Sequence, residues 1–273
     1  MSSAAHLIDL QDRIRRIERG GAHRHGVLPF GVAALDAALP EGGLALGALH
    51  EILGAGPDEE DAAAAAGFAA GIAGRLRGGV VLWCLKQRDL YGPGLAAHGL
   101  DPARVVIVQA ARDDDILWAL EEGLRAAGSP GGIAAAIGEV ERLPMVASRR
   151  LQLAAERSGG IALIVRRWRT GDAAAAERAR PSAAMTRWQV TPLPSAADGV
   201  PETRGLVGRP RWRVALLRCR GAEPAEWNLP VDLGGDLGEA DASDLVRLSA
   251  ELADRPAAPR RSAAAPRKWR KAG

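Results

Sequence analysis

Leu49-His50-Glu51-Ile52-Leu53-Gly54-Ala55-Gly56-Pro57-Asp58-Glu59-Glu60-Asp61-Ala62-Ala63 is the stretch on which the reading of this chain turns. The run from Ala48 to Leu53 is apolar with few breaks and predicts a buried β-strand. Gly54-Ala55-Gly56-Pro57 is a turn, and an alanine-rich segment of helical length follows. Strand, glycine turn and helix in this order form the arrangement that cradles phosphate on backbone N–H groups. A working phosphate loop also carries Gly-Lys-Ser/Thr, the lysine on the β- and γ-phosphates and the hydroxyl on Mg²⁺. Here Ala62 and Ala63 stand in those places, behind a run of acids ending at Asp61. Like charges in a partly dry site oppose a triphosphate. The stretch therefore predicts a nucleotide-binding shape, at Gly54, Gly56, Asp61, Ala62 and Ala63, without nucleotide binding, catalytic residues or a cofactor.

Outward from this point, short apolar runs recur at 80–84, 105–109, 133–137 and 161–165, each separated from the next by a helix-length segment. Runs that are apolar on both faces and alternate with helices argue an α/β fold with a mostly parallel sheet flanked by helices. The helix expected from about Ile116 to Ala127 opens with Asp113-Asp114-Asp115, acids where the helix dipole favours them and an N-cap is needed. Thr186–Val190 and Trp212–Arg218 read as further strands. Before the core, Leu7, Leu10, Ile14 and Ile17 recur at helical spacing among charged residues, an amphipathic helix over 1–20 that packs on its own domain or on a partner. Residues 21–47 form a connector and lead-in. His23 and His25 there lack the cysteine or carboxylate cluster that completes a metal site, so the pair reads as linker.

Length and composition set the outer bounds. The chain has 273 residues, 47% of them hydrophobic and 25% charged, the balance of a globular protein rather than a disordered one. The stretch Ala62–Gly74 is far short of the roughly 20 apolar residues that cross a bilayer. Asp9, Asp12 and Glu18 interrupt any secretion signal, and Cys84 and Cys219 make no disulfide framework. A cytoplasmic protein without membrane contact is expected. Net charge is +3, but it is unevenly placed: −6 over residues 1–148, +10 over 149–220, −8 over 221–254 and +7 over 255–273. The basic block at 149–220 suggests an anionic partner, nucleic acid being the usual one. The Ala/Pro/Arg composition of 255–273 predicts a disordered basic tail, leaving 48–254 as the core.

The residues around the opening stretch carry a family resemblance. Leu28-Pro29-Phe30-Gly31-Val32-Ala33-Ala34-Leu35-Asp36-Ala37-Ala38-Leu39, then Gly42-Gly43-Leu44-Ala45-Leu46-Gly47, then Glu51-Ile52-Leu53-Gly54 are similar to the lead-in of the RecA recombinase family. The resemblance implies a RecA-like core. It also sets two further losses beside the missing lysine: Lys86 at or near the place of a catalytic glutamate, and Gly138 in the place of the Walker B aspartate. With its degenerate loop, N-terminal helix and basic tail, the chain resembles the ImuA family of damage-inducible mutagenesis accessory proteins. That resemblance implies a non-catalytic role in the SOS response. The partners would be ImuB, a catalytically inactive Y-family polymerase homologue, and, indirectly, an error-prone C-family polymerase subunit, with RecA or single-stranded DNA as further candidates. An inhibitor of cell division similar to SulA and an active RecA- or KaiC-like ATPase are the alternatives.

Two segments could contact such partners. The strand exit Arg166-Arg167-Trp168-Arg169, continuing through Arg178 and Arg180, offers cations for phosphate and an indole face for a base. The same residues could instead stack on each other as an internal cation–π contact. Both readings stand. In the tail, Arg267-Lys268-Trp269-Arg270-Lys271 sets one aromatic in a basic run with no core nearby, an anchor for a partner groove or simply a solubilising extension. The stripe Leu7, Leu10, Ile14 and Ile17 is the other interface candidate.

Overall fold

The strand β3 (Leu49–Gly54) is buried along its whole length and runs at the middle of an eight-stranded sheet. The computed structural model describes residues 25–56, 58–127, 132–168, 171–196 and 209–231, with side chains at all of these except 58–60, 171–173, 195–196 and 209. β4 (Val80–Leu85), β5 (Val105–Gln109), β6 (Ile133–Val140) and β7 (Ile161–Arg166) are the predicted apolar runs. β8 (Thr186–Ala196), β9 (Arg209–Cys219) and β10 (Ala225–Pro230) extend the sheet beyond β3. The order is β10-β9-β8-β3-β7-β6-β4-β5. β3 to β8 are mutually parallel, and only the β8–β9 and β9–β10 pairings are antiparallel. This is the α/β architecture expected from the sequence, with β10 added. Its Glu226, Asn228 and Pro230 are exposed, as an outer strand tolerates.

Two layers of helix cover the sheet. On one face lies α2 (Asp58–Gly74), whose alanines let it sit close: Ala64, Ala65, Phe68, Ala69, Ala70, Ile72 and Ala73 are all buried against the strands. On the other lie α4 (Asp113–Ala126) and α5 (Met145–Ser158), packed on Leu82, Ala136, Val140 and Ile164. Two shorter helices, α3 (Gly92–Ala97) and α6 (Gly171–Arg178), follow β4 and β7. Among the described residues no helix is long and apolar enough to cross a membrane.

The lead-in motif has a structural explanation. β1 (Val27–Leu28) pairs with β2 (Leu44–Ala45), and the single-turn α1 (Ala33–Asp36) lies between them. The Asp36 carboxylate accepts hydrogen bonds from the Phe30 and Gly31 backbone N–H groups at 2.7 and 2.9 Å, closing the turn before α1. That turn drives Phe30 into the core, against Phe68 at 5.8 Å and Trp188 at 5.6 Å between ring centroids. Gly43 passes so close to the Leu28 carbonyl that a Cβ would lie 2.7 Å from its oxygen. His25, read as linker from the sequence, is held instead: Nε2 donates to the Glu156 carbonyl at 2.7 Å, and the ring packs on Gly47 and Gly159.

His50 sits inside this core with no solvent contact. Its Nε2 lies 2.9 Å from the Ala45 carbonyl, which can only accept, so Nε2 carries the proton. Nδ1 then accepts from the Thr186 hydroxyl at 2.8 Å, and Thr186 in turn accepts from the Trp188 indole N–H at 2.7 Å. Burial pulls the imidazole pKa down to about 4, and the Ala45 contact opposes that only in part.

Candidate functional site

The loop that leaves β3 is closed by the protein's own side chains. The Asp61 carboxylate, buried in the first turn of α2, accepts a hydrogen bond from the Gly56 backbone N–H. An anion is thus already seated on a backbone donor of the kind that would otherwise face a phosphate. Gly54 is required by the same packing, since a Cβ there would fall on Asp61 Cβ. From the other side Arg178, at the end of α6, donates to the Gly54 carbonyl at 2.7 Å and to the Ala55 carbonyl. Burial lowers the Arg178 pKa, and the nearby Asp61 charge opposes the shift.

Arg178 is one member of a larger internal cluster. Its guanidinium lies 5.4 Å from the centre of the Trp168 ring, and that of Arg166 lies 5.1 Å from it. Trp168 is only 3% exposed and donates its indole N–H to the Glu141 carbonyl at 2.9 Å. Arg166 also reaches the Glu141 carbonyl, at 2.7 Å, and pairs with Glu177 at 3.0 Å. Burial lowers the Arg166 pKa against the pull of Glu51 and Glu177. Arg180 pairs with Glu177 at 3.2 Å while remaining solvent-exposed. Arg187 holds the buried Glu51 at 2.7 Å and ties down the Arg178 and Arg180 carbonyls.

Beside the closed loop, a cavity of about 520 Å³ opens between α2, α3 and the segment after β4. Ala62 and Ala63 form part of its wall. Its polar end is a carboxylate–guanidinium–carboxylate bridge: Arg167 reaches Glu139 at 2.6 Å and Asp89 at 2.7 Å. Trp83 donates its indole N–H to the second Glu139 oxygen at 2.8 Å. Burial raises the Glu139 pKa, Arg167 opposing, while the hydrogen bond from Arg167 lowers that of Asp89.

Two residues singled out in the sequence, Gly138 and Lys86, lie away from this cavity. Gly138 does not point into it. A Cβ at Gly138 would strike Leu120 and lie 3.1 Å from Ile116 of α4, on the opposite face of the sheet. Side chains alternate along a strand, so the acidic residue facing the cavity from β6 is the next one, Glu139. Lys86 likewise turns away, toward Asp113 at 2.7 Å and Glu141 at 3.2 Å. Asp113 does not cap its own helix. It accepts from the Glu141 and Arg142 backbone N–H groups at 3.2 and 3.0 Å, joining the start of α4 to the exit of β6.

The structure thus brings together Gly54, Gly56, Asp61, Arg166, Trp168 and Arg178, with Ala62, Ala63 and Arg167 on the neighbouring cavity. Arg169 lies outside the described residues, as do Leu7, Leu10, Ile14, Ile17 and the tail residues Arg267, Lys268, Trp269, Arg270 and Lys271. Sequence reasoning missed Asp89 and Glu139. The signal available for them was an acid near the carboxyl end of β6 and another in the segment that follows the neighbouring β4.

No family model matches the chain. It is 39% identical over 233 residues to Protein ImuA of Caulobacter vibrioides, the match covering 84% of this chain and 91% of the relative. The sequence from a second strain of that organism matches to the same extent. Identity of this degree across nearly the full length of both proteins places the chain in the ImuA family.

Proposed function

We propose that this protein is a non-catalytic accessory factor of SOS mutagenesis, supporting error-prone translesion synthesis through contacts with an ImuB-like, inactive Y-family polymerase homologue. Membership of the ImuA family supports the role. A glycine loop at the carboxyl end of a central parallel strand, running directly into a helix, supports a RecA-like core that has lost its nucleotide. The observation that carries the non-catalytic reading is Asp61 on the Gly56 N–H. A loop that satisfies its own donor with an internal carboxylate, in a chain with alanine at both Walker positions, has neither the room nor the charge for a triphosphate.

In this reading Arg166, Trp168 and Arg178 act as an internal clamp rather than as a single-strand DNA platform. Partner contacts fall to the N-terminal stripe Leu7, Leu10, Ile14 and Ile17 and to the basic Arg267–Lys271 run around Trp269. The C-family polymerase joins through the Y-family homologue. The test combines two measurements on the full chain. Purified protein should neither hydrolyse ATP nor bind a fluorescent ATP analogue saturably. A cell lacking the gene should lose damage-induced mutation and regain it with the wild type but not with a variant deleted for 255–273. Saturable nucleotide binding would refute the first half, and full complementation by the deletion would move the partner site elsewhere.

A further inference from the structure

β9 and β10 present a face that no helix covers among the described residues. Trp212, Val214 and Leu216 of β9 and Leu229 of β10 are buried on the side of α2, with Phe68 at 6.3 Å from the Trp212 ring between centroids. The apolar residues packed under α4, α5 and α6, on the other side of the sheet, include none from either strand. Alternation turns Arg211 and Arg213 to that open side, and the register sets Thr191 of β8 and Asn228 of β10 beside Arg213. Arg218 lies opposite Arg187 farther along the same side. Backbone carbonyls fix three of these guanidinium groups without neutralising them. Arg187 donates to the Arg178 and Arg180 carbonyls at 2.9 and 2.8 Å, Arg218 to those of Ser182 and Ala184 at 3.1 and 2.9 Å, and Arg220 to that of Ala183 at 3.2 Å. Burial lowers the Arg218 pKa, and the charges of Arg187 and Arg220 push it the same way against Glu51. Five arginines here meet three carboxylates: Glu51, buried and held by Arg187; Glu226, 3.3 Å from Arg213; and the exposed Glu223 in the turn before β10.

We propose that this face binds the backbone of single-stranded nucleic acid, one chain of phosphates laid along β9 over Arg211, Arg213, Arg218 and Arg220. Composition favours this occupant over a protein. Protein interfaces are anchored on apolar and aromatic side chains and are depleted in charge at their centre. Here Leu217, 41% exposed, is the one exposed large apolar residue among the described residues of β8, β9 and β10. Nucleic-acid interfaces are polar and strongly basic, and Thr, Asn and Gln join Arg in contacting phosphate and sugar. The arginines run in single file, Arg211 to Arg213 a step of about 7 Å along the strand. A single file suits one backbone better than the two that border a duplex groove. No aromatic side chain described on these strands is exposed, so the face offers bases no stacking platform and reads the backbone alone. The contact is additional to the protein partners proposed above and does not depend on them.

Fluorescence anisotropy of the full chain with a labelled mixed-sequence single-stranded oligonucleotide tests this. The wild type should bind with a steep salt dependence. Arg211→Gln, Arg213→Gln and Arg220→Gln, combined, should leave the circular-dichroism spectrum unchanged and weaken binding about tenfold or more. The same variant should make the slope of log affinity against log salt shallower by roughly 2, at about 0.7 for each lost phosphate contact. Arg77→Gln, Arg88→Gln and Arg112→Gln, combined, remove the same charge from exposed positions off this face and should keep the wild-type slope. A wild type that does not bind overturns the proposal, as does an unchanged slope in the first variant. An equal loss in the second variant also overturns it, because net charge alone would then attract the strand. So does a loss in the first variant that appears only with the annealed duplex.

Discussion

Replacing Trp168 separates the two roles that its sequence allowed. As a stacking platform for bases, the ring would contribute little to stability, and its loss would weaken single-strand DNA binding. As built, it is 3% exposed, packs with Leu53 and Ala174, and lies within 5.1 and 5.4 Å of two guanidinium groups. Truncating a buried tryptophan to alanine costs about 3–5 kcal/mol. Loss of the cation–π contacts adds about 0.5–1 kcal/mol for each of Arg166 and Arg178. The Glu141 carbonyl is not stranded, because Arg166 also donates to it at 2.7 Å. Trp168→Ala should therefore destabilise by roughly 4–7 kcal/mol, which for a domain of this size lowers Tm by on the order of 10–25 °C. Trp168→Phe keeps the ring face and should cost only about 1 kcal/mol. Urea unfolding followed by circular dichroism measures both. An unchanged midpoint for Trp168→Ala, together with lost affinity for a single-stranded oligonucleotide, would refute the clamp.

Asp61→Ala leaves the Gly56 N–H without its acceptor and should cost about 1–3 kcal/mol in denaturant titration without creating ATP binding; a saturable nucleotide signal from this variant would show that the carboxylate alone excludes the ligand. Gly138→Ala drives a methyl into Leu120 and should destabilise by about 1–3 kcal/mol, whereas a neutral outcome would return Gly138 to the cavity side. Stability should also fall with acid through His50. Its folded pKa is about 4 against 6.5 for the free group, so the unfolded chain takes up the proton first. The contribution is intact above pH 6.5, declines below it, and has lost about 3 kcal/mol by pH 4. Glu139, whose folded pKa is raised, works in the opposite sense, so the comparison that isolates His50 is the wild type against His50→Asn, which should have the shallower slope.

The parallel strands were legible because strands buried on both faces must be apolar throughout, and Val80–Leu85 or Ile161–Arg166 can hardly be read otherwise. β10 escaped notice for the converse reason: Glu226, Asn228 and Pro230 give it the look of the acidic stretch that follows. At the site, Ala62 and Ala63 stand after a glycine turn in the sequence, and the structure sets both on the wall of the cavity. Which way a side chain points could not be read from identity alone. Gly138 and Glu139 differ by one residue and hence by a whole face of the sheet, and a strand's end carries no mark of its parity. Arg166 and Trp168 posed the same difficulty, because a cation and an indole at a strand exit look alike whether they meet solvent or each other. Only Glu177 and the Glu141 carbonyl, supplied by other elements, decide between these.

Asp61 and Arg178 give the turn after β3 a shape that no bound molecule has to induce. On the proposed reading, a protein derived from an energy-driven architecture is left indifferent to the cell's ratio of ATP to ADP. Its output would then follow from how much of it is made and from which proteins it meets, as befits a component called up by damage. Reversal would be hard as well. A lysine at Ala62 would find the neighbouring cavity open but the Gly56 N–H still held by Asp61, so a return to nucleotide dependence would require several substitutions at once.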